Sequence, residues 1–188
     1  MKQLIPALLL ALAGPVLAHD LTALTAETKK AVLPVVPKVV SAMQEAVAAK
    51  GVAEAIPVCK EQAPQLIQEK RKETGWDIRR VSLKTRNAER GTPDIWEARQ
   101  LADFNIRAGN GEKIETLEKS EIVDIDGKPT FRYIKALPVG DVCLKCHGPA
   151  DALDPALKAK LGATYPHDQA IGYSKGQIRG ALTVKRPL

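Results

Sequence analysis

The sequence predicts an α+β fold, an antiparallel sheet with helices packed on it. Three observations carry this expectation. They are a proline-punctuated helical stretch over residues 20–73, a hairpin signal at Asp126-Gly127, and a strand of period two near residue 180.

Residues 20–50 are rich in alanine and valine and read as helix, with Pro34 and Pro37 kinking or dividing it. Gly51 breaks the pattern, and a second helix runs to about Glu73. Its apolar stripe is Val52, Ile56, Cys59, Ala63 and Leu66, spaced by three or four residues, which puts Cys59 on the buried-facing side. Pro57 and Pro64 disturb its geometry. Residues 77–83 (DIRRVSL) read as a strand. Thr92 offers an N-cap, Pro93 a first-turn proline and Asp94 a favourable charge for a short helix ending near Gly109.

Residues 118–139 read as a β-hairpin. Val123 and Ile125 alternate with Asp124 and Asp126, the Asp-Gly turn follows, and Phe131, Tyr133 and Lys135 then alternate with Arg132, Ile134 and Ala136. A loop over residues 137–149 comes next, then a small helix with Asp154 as cap, Pro155 in its first turn and Gly162 past its end. In the last strand Ile178, Gly180, Leu182 and Val184 alternate with Gln177, Arg179, Ala181, Thr183 and Lys185.

The first residues carry a different message. A lysine, the apolar run of residues 4–13 and small residues up to Ala18 form a secretory signal peptide, cleaved after residue 18. The run is too short to span a bilayer, and no later segment reads as apolar enough to do so. Residues 19–188 are then expected to form a single domain in the periplasm, with 19–50 as an N-terminal helical segment. Aromatic residues make up only 4% of the chain, so aliphatic side chains and a bound cofactor must fill the core. The net charge is +6, but no basic run is interleaved with aromatics, so nucleic acid is not an expected partner. A docking face for an acidic redox partner is the alternative to a plain solvated surface.

Three cysteines are present, and an odd count leaves one thiol over in an oxidising compartment. Cys143-Leu144-Lys145-Cys146-His147 explains two of them. Thiols at this spacing form thioethers to the two vinyl groups of one haem, and the histidine after the second cysteine sits beneath the iron. The competing readings are a thioredoxin-like dithiol, which lacks its βαβ context here, and an iron–sulfur centre, which wants a fourth cysteine. A zinc site would need Cys143, Cys146, His147 and one of Cys59 or His167. For a sixth iron ligand the candidates are Met43, His167, His19 and Cys59. The haem propionates need cations, and Arg79, Arg80 and Arg86 are the candidates, the first two pointing to opposite sides of one strand.

The chain resembles the PAS-like c-type haem domain family, also called Tll-like haem domains, formerly a domain of unknown function. The resemblance lies in residues 78–87 (IRRVSLKTRN), 93–97 (PDIWE), the haem motif, and 165–173 (YPHDQAIGY) with Gly176 and Gly180. It implies a PAS-like antiparallel sheet and axial ligation of one covalent haem by the motif histidine and a helix cysteine, here His147 and Cys59. Residues 87–91 (NAERG) depart from an asparagine–proline turn seen in relatives.

Two functions are in play. One is a redox carrier, or a sensor of redox state or of a small diatomic ligand, working through a redox or signalling partner protein. The other is a peroxidase-like or small-molecule reductase enzyme, which a tightly held sixth ligand argues against.

Overall fold

The computed structural model describes residues 20–188. The expected signal peptide and His19 lie outside the described residues. Helix α1 (Leu21–Val32) starts at Asp20, whose carboxylate accepts from the Thr22 and Ala23 amides. Pro34 divides it from α2 (Val35–Lys50), while Pro37 is absorbed in the first turn of α2, where no intrahelical N–H is required. Gly51, at φ 84°, ends α2. The run Leu21–Lys50 has the length and apolarity of a membrane-crossing helix, with mean hydropathy 1.3, which the sequence reading had not expected. Here its first half lies on the sheet. Lys29 pairs with Glu118 at 2.7 Å, Thr25 donates to Ser120 at 2.8 Å, and Leu24 and Val32 are buried.

The next stretch is wound unevenly. A 3₁₀ turn (Ala53–Ala55) leads to a π-helical segment (Val58–Gln62) and then α3 (Ala63–Thr74). Pro64 gives the reason: it has no N–H for the Lys60 carbonyl, and its ring crowds that carbonyl. The helix widens, the Ala63 amide reaches back five residues to the Val58 carbonyl, and Arg90 donates to the freed Lys60 carbonyl at 3.3 Å.

Among the described residues four strands form one antiparallel sheet: β1 (Asp77–Val81), β2 (Glu118–Ile125), β3 (Lys128–Pro138) and β4 (Ile178–Pro187), in the order β1-β4-β3-β2. The hairpin turn has positive φ at both Asp126 (54°) and Gly127 (76°), the geometry that matches strand twist. A short helix α4 (Ala88–Gly91), capped by Asn87, fills the variant turn. Helix α5 (Ile95–Gly109) is capped by Asp94, not Thr92. Asp94 and Glu97 exchange side-chain and backbone bonds, so Pro93 stands before the cap rather than in the first turn.

Helices cover both faces of the sheet. On one side α5 packs through Leu101 and Phe104 on Val81, Ile134 and Ala181. On the other, α1 and its neighbours pack on Ile78, Phe131, Tyr133, Leu182 and Val184. Strands β3 and β4 are therefore buried almost continuously instead of alternating between core and water.

Between β3 and β4 the chain makes α6 (Asp141–His147) and α7 (Pro155–Thr164). The cysteine motif is thus helical, not a loop. Asp154 and Pro155 start α7 as expected, but Gly162 lies inside it.

Candidate functional site

His147 closes α6, and its side chain is held from two directions. Its ring Nδ1 lies 2.6 Å from the Ala170 carbonyl, so Nδ1–H donates there and Nε2 keeps its lone pair. The Tyr173 amide donates to the His147 carbonyl at 2.9 Å, and the Gly172 amide to that of Gly148 at 2.8 Å. Gly148 is required, because a Cβ there would come within 2.6 Å of the Leu144 carbonyl oxygen. Burial, together with Arg179 and Arg86, holds the imidazole pKa well below its ordinary value, against the pull of the Ala170 bond. His147 is therefore a buried neutral imidazole whose unprotonated Nε2 has one long contact, from Arg179 Nε at 3.4 Å.

A relay built on one ion pair supports it. Arg86 Nε donates to Asp168 at 2.9 Å and its Nη2 to the Cys146 carbonyl at 2.6 Å. The other Asp168 oxygen accepts from the Ala170 amide at 2.8 Å. One carboxylate thus fixes both Arg86 and the turn that presents Ala170 to His147.

The three thiols lie close enough to influence one another. Cys146 is buried against Ile56, Leu153, Leu157 and Leu161, and burial pushes its thiol up to about 11, with Cys59 and Cys143 adding to the rise and Arg86 opposing it. Cys143 packs near Val139, Ala170 and Tyr173. Cys59 lies in the π-helical segment and feels the same surroundings. Burial raises its pKa, while Arg80, Arg86 and Arg179 pull it down. All three cysteines are free thiols.

The three proposed arginines part company. Arg80 is exposed on the side that faces Cys59 and His147, and Arg86 is bound within the relay. Arg79 is committed elsewhere: it pairs at 2.7 Å with Glu97 of α5, on the opposite face of the sheet. A fourth arginine, absent from the sequence expectation, is nearest the imidazole. Arg179 is buried, donates from Nε to His147 Nε2 at 3.4 Å and from Nη1 to Ser82 Oγ at 2.9 Å, and stacks near the Tyr173 ring. Burial and the neighbouring Arg80 lower its pKa to about 10.

Strict alternation from Leu182 would put Arg179 with Ala181, under α5. A register irregularity opposite Leu137/Pro138 turns it to the other face. Gly180 makes that possible, since a Cβ there would lie 2.3 Å from the Val81 carbonyl oxygen. A glycine inside a strand pattern is the one sequence signal that could have revealed this.

His167 is exposed, and Met43 is half-buried on α2. Among the described residues no three His, Cys, Asp or Glu side chains are grouped to hold a metal ion by themselves, so the four ligands of a zinc site are not assembled.

The search of curated proteins gives no match. The crystal structure of a cyanobacterial protein, the heme-protein Tll0287, matches with a TM-score of 0.64 at 20% identity, over 88% of this chain and 95% of that one. Its likeness establishes the fold. The model of the Tll0287-like family matches residues 16–187, nearly the whole described chain, and the chain belongs to that family.

Proposed function

We propose that this chain is an exported c-type haem protein, a periplasmic redox carrier or a sensor of redox state or of a diatomic ligand. Cys143 and Cys146 hold one haem through thioethers, each thiol adding across a vinyl group, and His147 and Cys59 serve as axial ligands. The observation that carries the reading is the lock on His147: Nδ1–H is spent on Ala170, Nε2 is unprotonated with only a long contact from Arg179, and the thiols of Cys143, Cys146 and Cys59 lie close enough to influence one another. Likeness to a heme-protein structure supports the cofactor.

The residues present fit such a group. The pocket gathers Arg80, Arg86 and Arg179 around a single partnered carboxylate, Asp168, a surplus of positive charge suited to an anionic cofactor and a thiolate. When bound, haem supplies one-electron chemistry at iron. The chain's own tasks are to keep Nε2 unprotonated through Ala170, to hold the turn through Asp168 and Arg86, and to exclude water with Leu157, Leu161 and Ile56. The arginines favour the Cys59 thiolate against the cost of burying it. Two protein ligands leave no open coordination position, which favours electron transfer or sensing over peroxidase-like turnover.

The test is an absorption spectrum, with alkaline pyridine, of protein made with a cytochrome c maturation system. Covalent haem with a low-spin ferric spectrum is expected. Cys59→Ser should give a high-spin or water-bound ferric spectrum and a raised midpoint potential. Zinc and no haem in the wild type would overturn the reading. An unchanged spectrum and potential in C59S would remove Cys59 as ligand.

A further inference from the structure

We propose that Arg179 is a carboxylate-binding residue of this site and that in the loaded protein it grips a haem propionate; this rests on the haem reading above. The argument begins with charge. Apart from the exposed Arg80, the other site and core arginines each have an acid: Arg86 has Asp168 at 2.9 Å, Arg79 has Glu97 at 2.7 Å, and Arg132 has Asp94 at 2.8 Å. Arg179, only 6% exposed, has none. Its partners are Ser82 Oγ at 2.9 Å, the Lys84 carbonyl at 3.2 Å and His147 Nε2 at 3.4 Å, all neutral. Burying a cation with neutral partners alone is costly. The chain nevertheless spends a strand irregularity and a mandatory glycine to aim this one inward.

The bond to His147 is provisional. Nε2 has one lone pair, and an N–H donor and a metal cannot both use it. If His147 ligates iron, Arg179 Nε–H must withdraw. Its tethers to Ser82 and Lys84 run through Nη1 and do not depend on His147. Turning about that tethered corner leaves the Nε and Nη2 donors side by side, and Nη2 has no hydrogen-bond partner among the described residues. That edge of a guanidinium binds a planar carboxylate through two parallel bonds. The class of ligand is therefore a carboxylate, which each haem propionate supplies. Arg80, exposed and near enough to influence Arg179, lacks this tether.

The experiment measures midpoint potential against pH in haem-loaded wild type, Arg179→Gln and Arg179→Lys, with absorption spectra to check that the axial ligands are kept. In R179Q the potential is expected to fall, because a buried positive charge that favours ferrous iron is gone. The bend in its pH profile should move to higher pH, because the propionate loses its counter-ion. R179K keeps the charge but not the fork and should fall between the two. If R179Q does not fold, R179K carries the test through the same upward shift of the bend. Variants with the wild-type potential and pH profile, even if less stable, would make Arg179 a purely structural residue and overturn the proposal. A wild type without haem overturns the site reading itself and this proposal with it.

Discussion

Glu97→Gln tests the buried ion network that fastens α5 to the sheet. Glu97 is fully buried. Oε2 accepts from Arg79 at 2.7 Å and from the Asp94 amide at 2.8 Å, while Oε1 accepts from Thr183 at 3.0 Å and faces Arg132 at 3.3 Å. Glutamine keeps the volume and one oxygen, so the helix cap can survive. Its amide group must take the place of Oε1. The Thr183 hydroxyl can rotate to accept, but the Arg132 guanidinium cannot. Arg132 retains Asp94, whereas Arg79 loses its only acid and already has a buried Nε without a partner. Removing one member of a buried pair costs about 3–5 kcal/mol. Arg79, with 28% of its side chain exposed, regains some hydration, which sets the expectation near the lower end, at about 3 kcal/mol. For a chain of this size that is a fall of roughly 6–12 °C in Tm. Urea unfolding of the two proteins measures it. The network lies across the sheet from His147, so the absorption spectrum should not change. A loss below about 1 kcal/mol would refute the claim that this charge is needed where it is.

The same network predicts an acid limb. Burial would raise the Asp94 pKa, but the Glu97 amide, Lys185 and Arg132 outweigh it and bring it to about 2. A depressed carboxylate pKa stabilises the fold above its unfolded value, near pH 4, and the contribution is lost as pH falls from there towards 2. With 32% of the side chain exposed, solvent screening reduces this to about 1 kcal/mol, measurable as a drop in urea midpoint over that window which Asp94→Asn should lack. Gly180→Ala places a Cβ 2.3 Å from the Val81 carbonyl, and β1 must part from β4 to admit it. The expected destabilisation is roughly 2–4 kcal/mol by denaturant titration, and a change within about 0.5 kcal/mol would show that the strands can yield.

Features written in local chemistry were legible in the sequence. The Asp126-Gly127 turn, the break at Pro34, and the Cys143-Cys146-His147 spacing each depend on residues within a few positions of one another. Features set by packing from afar were not. The alternation expected for β3 and β4 vanished because helices cover both faces, a tertiary circumstance that a two-residue period cannot signal. Preferring Thr92 to Asp94 as the cap was a different kind of miss, because the Asp94–Glu97 spacing of a capping box is itself local and readable in the sequence. Pro57 and Pro64 warned of a disturbed helix, but not that it would widen into a π segment around Cys59 or that Arg90 would answer the Lys60 carbonyl from another element. Arg179 was missed for a similar reason: one irregularity in strand register reverses the side to which it points.

The position of β4 has a consequence for how the chain acquires its shape. This strand lies between β1 and β3, and its pairing joins Asp77 to Lys185, so the sheet is closed by one of its most distant contacts in sequence. Such closure is slow, because the loop entropy is spent before any bond rewards it. The β2–β3 hairpin has no such wait, with Ile125 against Lys128 across a two-residue turn. Contact order therefore favours the local ribbon forming before the wedge is inserted, and Cys143, Cys146 and His147 precede that wedge in the chain. On the haem reading proposed above, a sheet still open at β4 would leave these side chains accessible for attachment of the cofactor.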